Sequence, residues 1–127
     1  MEAMPHRFVA IDHVQLAMPS GREADAEAFY RDLLGFEMLE KPAPLAARGG
    51  RWFGSGSVQI HLGVDGNFHP ARKAHPALVV EGLVELVGEL EAAGKAVRWD
   101  EELPGIKRCF VDDPFDNRIE LIELIER

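Results

Sequence analysis

The strongest constraint on this chain is an internal repeat. One grammar, strand then helix then three strands, is written twice along 127 residues. In the first copy, residues 11–18 alternate: Val14, Leu16 and Met18 are apolar, while His13 and Gln15 lie on the opposite face. After the break Pro19-Ser20-Gly21, residues 22–34 carry Ala26, Phe29, Tyr30 and Leu33 at helical spacing, and Gly35 is placed to end that helix in a left-handed cap. Residues 36–40, 51–53 and 58–62 read as strands, with a Pro/Ala loop between the first two and Gly54-Ser55-Gly56 leading into the third. In the third, Val58, Ile60 and Leu62 share one face, and Gln59 and His61 share the other.

Residues 63–74 hold Gly, Asn, Pro and basic residues and read as a linker. The grammar then restarts. Residues 75–80 form a strand. Residues 82–93 form a helix with Leu83, Leu86, Val87 and Leu90 facing inward, and Gly94 stops it. Strands follow at 96–99, 108–112 and 117–122, with Asp113-Pro114-Phe115-Asp116 as the last turn. Gly35 and Gly94 are 59 residues apart, and Ile60-His61-Leu62 matches Ile119-Glu120-Leu121 at that same interval. His13 and His75 are 62 apart, a difference the longer break at residues 19–21 absorbs. A unit this small cannot cover one face of its sheet alone, so the two copies, or copies from two chains, must pack together.

Charge and cysteine content narrow the function. The net charge of −8, with 22 acidic and 14 basic residues, repels phosphate backbones, so no nucleic-acid partner is expected. No basic run or long apolar stretch suggests a membrane partner, a span or a leader. A single cysteine, Cys109, excludes an intramolecular disulfide and points to a reducing, cytoplasmic setting.

Four polar residues occupy matching places in the two copies: His13 and His75 on the first strands, His61 and Glu120 on the last. All lie opposite the apolar stripe of their strands, on the face turned away from the helices. Imidazole and carboxylate together suit a borderline divalent ion such as Fe, Zn, Mn or Ni. A trio of His13, His75 and Glu120 leaves positions open for water and substrate, as a catalytic centre requires, with His61 as a possible fourth ligand. Taken singly, each is as easily explained as a hydrogen-bonded strand residue or a solvated carboxylate.

The segments Ile11-Asp12-His13-Val14 and Phe29-Tyr30-Arg31-Asp32-Leu33-Leu34-Gly35-Phe36 resemble the opening of vicinal oxygen chelate proteins, and Asp113-Pro114-Phe115-Asp116-Asn117-Arg118-Ile119-Glu120 resembles their closing signature. That superfamily includes glyoxalase I, extradiol dioxygenases, fosfomycin-modifying transferases and bleomycin-resistance proteins. The resemblance covers residues 10–124. It implies an α+β fold of two paired βαβββ modules, about 10–63 and 74–124, forming a curved mixed sheet around a metal cleft. It implies His13, His75 and Glu120 as ligands and a homodimer whose sites draw on two chains. His61 stands where glyoxalase I-like members place a usually acidic ligand, a departure that weakens a glyoxalase assignment. Asp116 stands where the family has Gly, and Asp tolerates the left-handed backbone such a turn needs.

The remaining candidates carry paired readings. Arg118 and Gln59 are expected on the cleft face beside Glu120 and His61; with Glu120 they form the expected catalytic set. Arg118 either receives a substrate carboxylate or phosphonate or pairs with an acidic neighbour. Trp52 or Phe53 either stacks on substrate or packs in the core. Gln15 shares the face of His13 and is suited to orient a ligand or substrate. Cys109 reads as a packed thiol, His69 as a linker residue, and Asp100-Glu101-Glu102 as a solvated loop. Together these features predict a metal-dependent enzyme of glyoxalase or dioxygenase type, acting on a small oxygenated molecule chelated through two oxygens. The alternative is a non-catalytic protein that sequesters a drug or metabolite, as bleomycin-resistance relatives do.

Overall fold

A computed structural model describes residues 5–125. The first module runs β1 (Val14–Met18), α1 (Glu23–Ala26) continuing into a π-helical segment Glu27–Leu33, β2 (Glu37–Leu39), a short α2 (Ala43–Ala46), β3 (Arg51–Ser55) and β4 (Val58–Val64). The second runs β5 (Ala77–Val79), α3 (Leu83–Ala92), β6 (Arg98–Asp100), β7 (Ile106–Asp112) and β8 (Arg118–Leu124). Each module builds its own four-stranded mixed sheet, in the orders β1-β4-β3-β2 and β5-β8-β7-β6. The first and last strands of each module pair in parallel, and the hairpin strands pair antiparallel. The paired βαβββ modules are as the repeat predicts. Among the described residues the two sheets are separate, with no ladder joining β1 to β5.

Alternation decides which side chains enter the core. Ile60 and Leu62 of β4, Cys109 and Val111 of β7, and Ile119 and Leu121 of β8 are buried. They meet Ala26, Phe29 and Tyr30 from the first helical segment and Leu83, Val87 and Leu90 from α3 in one hydrophobic cluster. The residues between them on the strands are thereby forced to the other face.

Local structure departs from the sequence reading in three places. The helix expected over 22–34 widens after Ala26. Leu34 N donates to Phe29 O at 3.0 Å and Phe36 N to Tyr30 O at 3.0 Å, beyond the reach of a regular α-turn. Phe29 and Tyr30, adjacent in sequence, are both buried there. Residues 43–46, expected as loop, form a helical turn, with prolines at its start. His13 and His75 precede β1 and β5 rather than lying within them.

A buried carboxylate ties the modules together. Asp113 Oδ1 accepts from the backbone N–H of Phe115 and of Asn117, both at 2.8 Å. Its Oδ2 accepts from Tyr30 OH at 2.7 Å and from Asn117 Nδ2 at 3.0 Å. Asn117 Nδ2 also donates to Ala17 O of β1 at 2.9 Å. Burial pushes the Asp113 carboxyl up from the usual carboxylate range, and the four donors act against that shift. Asp116 sits at φ 67° in this turn, the left-handed angle its side chain tolerates.

Tyr30→Phe removes one donor to this carboxylate without changing the ring's shape. It should lower unfolding free energy by about 2 kcal/mol, read as a shifted urea midpoint at constant m. A second prediction concerns Glu123, whose carboxylate accepts from Gly82 N at 3.0 Å and Leu83 N at 3.1 Å at the start of α3. Those backbone N–H groups hold its pKa below the ordinary glutamate value of 4.5. Its contribution is therefore full above pH 4.5 and is lost as pH falls through the lowered value. Thermal melts should show Glu123→Gln less stable than the parent at pH 7, with the gap closing near pH 3.

Candidate metal centre

The polar faces of the two sheets carry two half-sites. In the first, the rings of His13 and His61 stack at 4.0 Å between centroids and 12° between planes. Trp52, directly across from His61 in the β3–β4 ladder, stacks on the other side of His61 at 4.2 Å and 10°. His13 Nδ1 meets Asp12 Oδ2 at 2.8 Å, which leaves its Nε2 free. His61 Nε2 lies 3.1 Å from Gln59 Oε1. Burial, followed by the neighbouring His13, lowers the His61 pKa, favouring the neutral ring a metal requires. Gln15 faces His61 across the β1–β4 ladder, and its amide lies over Gly63, where an added Cβ would stand 2.5 Å from Gln15 Nε2.

In the second half-site, His75 Nε2 stands 2.8 Å from Glu120 Oε1. His75 Nδ1 lies 2.7 Å from the Lys73 carbonyl oxygen, which accepts only, so Nδ1 carries the proton. Nε2 in a neutral ring would then aim a lone pair at a carboxylate. Something positive belongs between them, a proton or a metal ion. Glu120 Oε2 accepts from Arg108 Nη1 at 3.3 Å, and Arg108 Nη2 donates to Asp100 Oδ2 at 2.9 Å. Phe110 lies directly opposite Glu120 in the β7–β8 ladder, as Trp52 lies opposite His61. The ring of Phe110 packs against His75, with centroids 5.6 Å apart. It also carries the guanidinium carbons of Arg108 at 5.5 Å and Arg118 at 5.9 Å.

The structure thus brings His13 to His61 and His75 to Glu120. Among the described residues, no three His, Cys, Asp or Glu gather as a metal-binding group within one chain. The donor set fits a divalent ion in chemistry: three imidazoles, one carboxylate, and second partners that fix three of the rings. Each chain carries that set as two pairs.

Gln59 and Arg118 lie where the alternation puts them, beside His61 and on the face of Glu120. Trp52 and Phe53 divide: Phe53 is buried in the core, while Trp52 stacks in the first half-site. The sequence reading missed Arg108 and Phe110. Their signal is the hairpin register, which places Phe110 opposite Glu120 and Arg108 diagonally beside it.

No family model matches the chain, and no curated protein matches it. Solved structures do. A glyoxalase family protein from Bacillus anthracis is 45% identical, with TM-score 0.92, over 95% of this chain and 99% of that one. A glyoxalase family protein from Enterococcus faecalis is 25% identical, with TM-score 0.72, over 91% and 98%. The genomically encoded fosfomycin resistance protein FosX from Listeria monocytogenes, at 13% identity and TM-score 0.73 over 92% and 94%, shares the fold. The chain belongs to the glyoxalase family of the vicinal oxygen chelate superfamily.

Cys109 takes no part in this face. Its side chain points into the core, and burial pushes its thiol up to about 11. The native protein should resist iodoacetamide at pH 8 for as long as it stays folded, and should be labelled readily in urea. Rapid labelling of the folded protein would show β7 to be exposed on its core side.

Proposed function

We propose that this protein is a divalent-metal-dependent enzyme of glyoxalase or dioxygenase type, acting on a small oxygenated organic substrate. The metal donors are His13 and His61 of one copy together with His75 and Glu120 of a second. One observation carries this reading: the four donors are sorted into two ready-made pairs, one on each sheet, with neither pair sufficient alone.

Two further features support a second copy. Residues 7–13 belong to no helix or strand, are exposed, and include Phe8, Val9 and Ile11. An isolated chain gains nothing by presenting those apolar side chains to water. A groove of about 620 Å³ runs along the free edges of β1 and β5, lined by Ile11, Val14, Gln15, His75 and Leu78 among others. Two-fold symmetry would present each half-site to the complementary half of the partner, giving two equivalent centres.

Bound between the halves, the ion would supply Lewis acidity to two neighbouring oxygens of the substrate. The protein's own groups do the rest. Glu120 is the one anionic donor, and so the natural acceptor for a proton leaving the substrate. Arg108 holds Glu120 from its other oxygen and fixes its orientation. Lys73 O sets the tautomer of His75, and Asp12 that of His13. Gln59 and Gln15 offer amide groups to substrate oxygens, and Trp52 supplies a flat apolar wall.

Metal analysis of untagged protein tests this. Wild type should carry near-stoichiometric metal, and His13→Ala and Glu120→Ala should each lose it while remaining folded by circular dichroism. Metal content unchanged in both variants would discard the site.

A further inference from the structure

The charges on the polar face of the second sheet pair unevenly. Three arginines and three carboxylates lie there, on β6, β7 and β8. Arg98 pairs with Asp112 at 3.1 Å. Arg108 is shared between Asp100 at 2.9 Å and Glu120 at 3.3 Å. Arg118 is left over: among the described residues it makes no ion pair, and its guanidinium packs against Phe110.

The first half-site does nothing to offset it. Beside His13, His61, Gln15, Gln59 and Trp52 its one carboxylate is Asp12, which is exposed and engaged by His13. The donor set itself brings one negative charge to a divalent ion, because His61 stands where an acidic ligand would have brought a second. Metal and donors therefore sum to about +1, and Arg118 adds another.

A centre with this excess, walled by Trp52 and Phe110, favours a ligand that carries negative charge. Arg118 lies two residues from Glu120 on β8, roughly 7 Å along the strand and on the same face. A guanidinium backed by an aromatic ring keeps its N–H edge turned outward for an oxyanion.

We propose that the completed site takes its substrate as an oxyanion, a small molecule bearing a carboxylate or phosphonate beside its chelating oxygens, with Arg118 receiving that group against Phe110. This rests on the metal-centre reading above. Arg118 is then a specificity-determining residue.

The test is isothermal titration of metal-loaded protein with glycolate, hydroxymethylphosphonate and catechol, in wild type, Arg118→Gln and Arg118→Lys, with metal content measured first. Arg118→Gln should weaken binding of at least one oxyanion by roughly tenfold or more. Metal content and catechol affinity should be unchanged, and Arg118→Lys should keep part of the affinity. The oxyanion that loses more identifies the substrate's group. Equal oxyanion affinity in wild type and Arg118→Gln, equal loss for catechol, or no oxyanion binding by metal-loaded wild type overturns the proposal and leaves the metal centre standing. Wild type that takes up no metal overturns both.

Discussion

The Asp113 carboxylate is the interaction on which the geometry depends. It closes the turn that launches β8, receives Tyr30 from the helical segment of the other module, and shares Asn117 with β1. Those contacts fix where β8 begins. Strand alternation then fixes everything downstream: Ile119 and Leu121 enter the core, so Arg118 and Glu120 must leave it. A buried anion with four donors is costly to disturb, because losing any partner leaves charge without compensation in an apolar setting. The same knot that binds the modules therefore also aims the Glu120 carboxylate.

The two modules share a scaffold and differ in the polar faces they present. Each presents a donor pair, and each backs its last-strand donor with an aromatic ring from the neighbouring strand, Trp52 for His61 and Phe110 for Glu120. The first face is a stack of flat rings, His13, His61 and Trp52. The second is laced with ion pairs that fix Glu120 and leave Arg118 available. Imidazoles with an aromatic wall suit the organic body of a ligand, and the charged face suits its oxygens. A site assembled from both faces combines the two properties without either sheet burying an uncompensated charge on its own.

Much of this was legible in the sequence because the repeat is physical. Matching glycines end the helices, matching apolar pairs bracket His61 and Glu120, and a period of two residues assigns their faces. What escaped depends on register and on long-range partners. Phe110 and Arg108 reach Glu120 only through the β7–β8 pairing, and the β7–β8 turn offsets that register from the one that pairs Trp52 with His61. The π-helical widening after Ala26 and the short helix at Ala43–Ala46 are set by tertiary packing, which helical periodicity does not encode. The separation of the donors into two pairs was equally invisible, since spacing along a chain says nothing about which sheet faces which.

The account stands on donors from two copies meeting around one ion. Co-expressing His13→Ala with Glu120→Ala and measuring metal in the purified mixed pair tests this most directly. A site built across copies predicts that the mixed pair regains one intact centre, joining His13 of one chain to Glu120 of the other, although neither variant alone holds metal. A mixed pair as empty as its parents would contradict it.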